Sequence, residues 1–221
     1  MDNDQKLQYD VEQALKREPL LVGAEIAVIS RDGVVTLMGT VDSYAKKRVA
    51  EHASKTVKGV EAVIEKIEVV FTVNGKKSDT TLIKEILDAL KQNPKVPKDQ
   101  ILVQVENGWV SLEGTVKWQA EKIAALTCIE NIAGIRAVDN LIFVKSETED
   151  VVEKLGIEEA LIRNSTVHKE DIKVAVFGNT VTLSGIVHSI YQKDEAERIA
   201  WNAPGVWNVH NDLFVDYKIS S

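Results

Sequence analysis

Gly39, Gly114 and Gly185 each close a short Val/Thr/Leu run, in Gly33-Val-Val-Thr-Leu-Met-Gly39, Gly108-Trp-Val-Ser-Leu-Glu-Gly114 and Asn179-Thr-Val-Thr-Leu-Ser-Gly185. In every copy the first and last residues are six apart, and a second glycine follows twenty positions on, at Gly59, Gly134 and Gly205. Two spacings kept through three copies define an internal repeat of about seventy residues, which constrains the fold more than any other feature. The modules run over 4–71, 78–146 and 148–217. Three similar units with different surfaces suit a binding or scaffolding protein better than an enzyme built around one cleft.

The elements of one unit follow from periodicity. Val11/Ala14/Leu15, Ile86/Ala89/Leu90 and Ile157/Ala160/Leu161 each form an apolar stripe at helical spacing. Pro19 and Pro94 help to end the first two of these helices. Alternation then marks a strand (Ile26/Val28, Ile101/Val103/Val105, Ile172/Val174/Val176). The pairs Asp32-Gly33, Asn107-Gly108 and Gly178-Asn179 predict a hairpin turn into a second strand with Val35/Leu37, Val110/Leu112 and Val181/Leu183 inward. A second helix starts near Asp42, Lys117 and His188, and buries Ala50/Ala53/Val57, Ala125/Cys128/Ile132 and Ala196/Ile199/Ala203. Gly59, Gly134 and Gly205 fall where a left-handed glycine follows a helix. A third strand (Val63/Ile67, Val138/Ile142, Val209/Leu213) closes the module. The prediction is an α+β protein of three tandem αββαβ modules. Each is a three-stranded mixed sheet with two helices on one face and a right-handed crossover between strands two and three. The linker 72–78 is expected to be mobile, and 146–148 to restrict the orientation of modules two and three.

The order αββαβ, the hairpin ending in Leu-x-Gly-x-Val (Leu37 to Val41, Leu112 to Val116, Leu183 to Val187) and the later Gly59-Val-Glu-Ala-Val63, Gly134-Ile-Arg-Ala-Val138 and Gly205-Val-Trp-Asn-Val209 resemble the BON domain. The resemblance covers nearly the whole chain. It implies envelope or osmotic stress, attachment to phospholipid membranes or membrane-associated complexes, and chaperone-like roles, and it supplies no catalytic residues.

The residues agree in pointing away from catalysis. His52, His168, His188 and His210 form no close-spaced ligand set with Cys or carboxylates, so no metal is expected. Cys128 aligns with Ala53 and Ile199 and reads as a small core residue. Neither Gly-x-Gly-x-x-Gly nor a Walker pattern is present, so no cofactor is expected. The formal net charge of −7 argues against nucleic acid as a partner. That charge is uneven: residues 147–221 hold 7 Lys/Arg against 13 Asp/Glu, while residues 76–146 hold 10 against 9. An acidic partner is therefore met most easily by the middle module. There Lys84, Lys91, Lys95 and Lys98, with Trp118 in the first turn of the following helix, form a candidate site for anionic phospholipid or an envelope protein.

Away from the helices, strand parity leaves Ile29, Val34 and Met38 in module one and Trp109 and Phe143 in module two. These are expected to be covered by a neighbouring module or another chain, and alternatively to meet polypeptide clients. The amino terminus, Met-Asp-Asn-Asp-Gln-Lys, has neither the basic start nor the apolar run of a secretory signal, and no later stretch is long enough to span a bilayer. As written the chain reads as cytoplasmic, and as periplasmic if a signal peptide has been removed.

Overall fold

The computed structural model describes residues 3–71, 77–145, 152–164 and 172–216. Both linkers of the sequence reading fall largely outside the described residues. The element order repeats three times: α1 (Asn3–Arg17), β1 (Glu25–Arg31), β2 (Val34–Val41), α2 (Tyr44–Lys55) and β3 (Ala62–Val69); α3 (Asp79–Gln92), β4 (Ile101–Glu106), β5 (Trp109–Val116), α4 (Gln119–Ile129) and β6 (Ala137–Val144); then α5 (Lys154–Arg163), β7 (Ile172–Phe177), β8 (Thr180–Val187), α6 (Ile190–Trp201) and β9 (Asn208–Val215). Each set of strands makes its own sheet, in the orders β1-β2-β3, β4-β5-β6 and β7-β8-β9. In the second and third sheets the hairpin pair is antiparallel and the crossover pair parallel. The αββαβ reading holds in all three copies.

The repeated glycines have distinct physical reasons. At Gly114 φ is +137°, and a Cβ there would stand 2.0 Å from the carbonyl oxygen of Gln100; at Gly39 the corresponding contact is 2.2 Å from Glu25 O. Strand one crosses too close for any side chain, which is why Leu-x-Gly recurs. Gly59, Gly134 and Gly205 also have positive φ. They lie in the turn that leads into strand three, several residues beyond the ends of α2, α4 and α6, and not at the helix termini as expected. The hairpins differ as well. Asp32/Gly33 and Asn107/Gly108 both have positive φ, as a type I′ turn requires, whereas in the third only Gly178 does.

An unpredicted clamp fixes the first two hairpins. Asp4, in the first turn of α1, accepts a hydrogen bond from the Asp32 N–H at 2.9 Å. Asp79, at the start of α3, accepts from Asn107 N–H at 2.8 Å and Gly108 N–H at 3.0 Å. One carboxylate thereby serves the helix N-terminus and the orphan donors of the turn.

The chain divides into two compact units, one of Met1–Gly39, Val49–Lys66 and Thr148–Ser221, the other of Thr40–Arg48 and Ile67–Glu147. In the first, Val11, Leu15, Val28, Val35 and Leu37 are buried, as are Ile157, Leu161, Val174, Val181, Leu183 and Leu213 of the third repeat. Residues of the first and third repeats also touch within this unit. The Gly59 N–H donates to His188 O and the Ile190 N–H to Val60 O, both at 3.4 Å. Lys55 Nζ stands 3.3 Å from an Asp194 oxygen, and the rings of His52 and Tyr191 meet edge to face at 5.2 Å. In the second unit Leu82, Ile86, Leu90, Val110, Leu112, Ala125, Ile129 and Ile142 form the core, and Tyr44 packs into it.

Candidate basic pole of the middle module

One end of the second sheet gathers lysines from four segments. Strand β4 starts at Ile101, opposite Gly114, so the short 3-10 turn Lys98–Gln100 before it lies beside the end of β5. Strand β6 runs parallel to β5, pairing Val144 with Val116, and the Lys145 N–H then donates to Val116 O at 2.8 Å. Lys117, Trp118 and Lys145 are therefore near neighbours. Helix α3 ends at the same pole: Lys91 is in its last turn, and the Asn93 side chain accepts from the Lys95 N–H at 3.0 Å. Lys91, Lys95, Lys98, Lys117 and Lys145 are all exposed. Lys84 is exposed too, but it lies two helical turns before Lys91, roughly 10 Å along the axis and off the pole.

Trp118 is the N-cap of α4 and not, as expected, part of its first turn. In the third repeat the equivalent Ser189 is buried, and its hydroxyl accepts from the Gln192 N–H at 3.2 Å. An indole has no acceptor to offer, so the cap is made differently. A Glu121 oxygen accepts from the Lys117 and Trp118 N–H groups at 2.9 and 3.0 Å, and the indole stays 39% exposed. Of the carboxylates nearby, Glu121 is engaged in this cap and Asp99 lies 4.0 Å from Lys98 Nζ. At the strand ends of the equivalent poles the charge is opposite or absent. Asp42 replaces Lys117 in the first repeat, its carboxyl held below the usual range by its bond to Lys46. In the third repeat His188 and Asp216 stand where the second has Lys117 and Lys145.

Lys117 and Lys145 escaped the sequence reading because each is isolated in sequence; the parallel pairing of β5 with β6 brings them together. A second omission has a clearer signal. Lys47, Lys122 and Lys193 occupy one position of the repeat. Lys47 Nζ donates to Ile67 O at 2.9 Å and Lys193 Nζ to Leu213 O at 2.8 Å, pinning helix two to strand three. Asn140 and Asn211 reinforce the same joint through Lys122 O and Lys193 O. Burial holds the Lys122 ammonium below its ordinary pKa.

Ile29, Trp109 and Phe143 are 50%, 56% and 65% exposed, while Val34 and Met38 are half-buried. Cys128 is half-buried, bonded through sulfur to Ala125 O at 3.3 Å, and burial pushes its thiol up in pKa. A thiol so placed is a poor nucleophile. His168 lies outside the described residues. Among the described residues no group of His, Cys, Asp or Glu has the arrangement to hold a metal ion, and no helix is long and apolar enough to cross a membrane.

The model of the BON domain matches residues 3–70, 78–146 and 155–217. The chain belongs to the BON domain family. Its sequence is similar to osmotically-inducible protein Y of Escherichia coli (strain K12), 31% identical over 142 residues that make up 62% of this chain and 71% of that protein. Among solved structures it is similar to CdsD, a structural protein of the type III secretion system of Chlamydia trachomatis. That likeness has 16% identity, a TM-score of 0.26, and coverage of 96% of this chain and 93% of the other. The C-terminal domain of CdsD matches with a TM-score of 0.24 and 16% identity, covering 95% and 97%.

Proposed function

We propose that this BON protein is a non-enzymatic, osmotic or envelope-stress protein that attaches to anionic phospholipid surfaces through the basic pole of its middle module. The observation that carries the reading is that Lys91, Lys95, Lys98, Lys117 and Lys145 are exposed at the same end of the second sheet as the exposed indole of Trp118. Lysines meet lipid phosphates as point charges on flexible stems, and a tryptophan suits the boundary between headgroup and acyl chain. Similarity to an osmotically inducible protein supports the physiological setting. A net charge of −7 on the whole chain favours approach by this pole alone.

A second reading follows from Ile29, Trp109 and Phe143. Apolar side chains left exposed on sheet faces favour a chaperone or scaffold that holds polypeptide clients. Co-sedimentation with phosphatidylglycerol vesicles at low and high salt separates the two. Attachment through lysines weakens as the Debye length shrinks from about 30 Å at 0.01 M to about 3 Å at 1 M, whereas an apolar client surface keeps its hold. Protein that stays in the supernatant at low salt rules out the membrane reading.

A further inference from the structure

At the other end of the second sheet, where the Asn107-Gly108 hairpin turns, the end of β3 and the residues after it form a cleft of about 470 Å³ within the second compact unit. Val69, Val70 and Phe71 line it from one segment, Trp109 and Arg136 from the start of β5 and the approach to β6, and Lys47 from α2. That volume falls in the range of small-molecule sites, about 300–1,000 Å³. We propose that this cleft binds a small molecule made of a planar aromatic ring carrying one phosphate or carboxylate group.

The charge requirement comes from Arg136. Its guanidinium carbon stands 5.2 Å from the Phe71 ring centroid, and among the described residues it has no carboxylate partner. A half-buried guanidinium stacked on a ring keeps its N–H edge for a planar or tetrahedral anion, which it grips in a two-pronged fashion. Lys47 adds a second positive charge, anchored through its bond to Ile67 O. Glu68 also lines the cleft and disfavours a ligand of high negative charge.

The aromatic requirement comes from Trp109 and Phe71. The indole lines the cleft yet stays more than half exposed, leaving a large flat surface open to stacking. The repeat supplies an internal comparison. The positions equivalent to Trp109 and Arg136 hold Val34 and Glu61 in the first module, and Thr180 and Trp207 in the third. Among the described residues only the middle module joins an exposed indole to a guanidinium without a carboxylate partner, so the pair is not a requirement of the αββαβ fold. The cleft lies away from the lysine pole and stands or falls independently of membrane attachment.

Phenyl phosphate titrated into the full chain, followed by NMR through the Trp109 indole N–H, tests the proposal. Saturable shifts are expected by about 10 mM, with affinity at least tenfold above that of inorganic phosphate. Arg136→Leu and Trp109→Ala should each lower affinity about tenfold or more, and Arg136→Lys should restore part of the loss. Thermal unfolding shows whether each variant is folded; if Arg136→Leu is not, Trp109→Ala and Arg136→Lys decide. Shifts that never saturate, inorganic phosphate that binds as tightly as phenyl phosphate, or folded variants that bind like the parent would each overturn it.

Discussion

Replacing Gly114 by alanine tests the reason given for the repeat's most regular residue. The added methyl would stand 2.0 Å from Gln100 O and 3.0 Å from Gln100 C, against backbone that cannot step aside without parting β4 from β5. Two costs combine. An L residue held at φ +137° bears about 1–3 kcal/mol of backbone strain, and forcing a packed pair of strands apart adds about 1–3 kcal/mol. Gly23 is the control, since its φ is +81° but a Cβ there meets nothing within 4 Å. Gly23→Ala should therefore cost only the conformational part, about 1–2 kcal/mol. At about 4–8 °C per kcal/mol for a domain of this size, Gly114→Ala should lower the melting transition of its unit by at least about 10 °C. Differential scanning calorimetry of the full chain reads both variants, with one transition expected for each compact unit. If Gly114→Ala costs no more than Gly23→Ala, close strand approach is not why glycine recurs there.

Two further outcomes follow from side chains seen only in the structure. Asp79→Ala removes the acceptor for two turn N–H groups and should cost about 1–2 kcal/mol, because hydrogen bonds to a charged group are worth more than neutral ones but this one is partly solvated. Hydrogen exchange should speed at Asn107 and Gly108 and stay unchanged at the Gly178 hairpin. Lys122→Met should stabilise the fold at pH 7, by no more than about 1 kcal/mol once solvent screening is allowed. The sign follows from its lowered pKa: between that value and the unfolded 10.5 the unfolded chain binds more protons, so stability rises with pH through the window. The advantage of methionine should accordingly shrink as pH rises toward 10.5, and a constant advantage would show that the lysine's charge is not what costs stability.

The architecture was legible because its determinants are local or periodic. Leu37, Leu112 and Leu183 announce buried strand positions by alternation, and Gly39 and Gly114 mark close approach by recurring at one place of the repeat. Contacts that depend on topology were not legible. Asp4 and Asp79 look like ordinary acidic residues of a helix first turn, and nothing local ties them to hairpins far along the chain. Lys47, Lys122 and Lys193 are inconspicuous in the sequence because lysine is usually exposed, although their shared repeat position was a signal available there. Lys117 and Lys145 required the parallel β5/β6 register before they could be seen together. Ile29, Trp109 and Phe143 stand on open sheet faces, and their apolarity says that contact there would be favourable without naming what makes it.

Vesicle co-sedimentation of lysine variants bears directly on attachment through the basic pole. Each lysine near an anionic surface contributes about 1 kcal/mol, so replacing Lys91, Lys95, Lys98, Lys117 and Lys145 with glutamine should remove several kcal/mol at low salt. That variant should lose binding to phosphatidylglycerol vesicles by a hundredfold or more on the order of these charges, while its melting temperature stays within a few degrees. Lys84→Gln, off the pole, should bind nearly as the parent does. Equal binding by the parent and the five-lysine variant would refute attachment through this pole, because the membrane would then be held by some other surface.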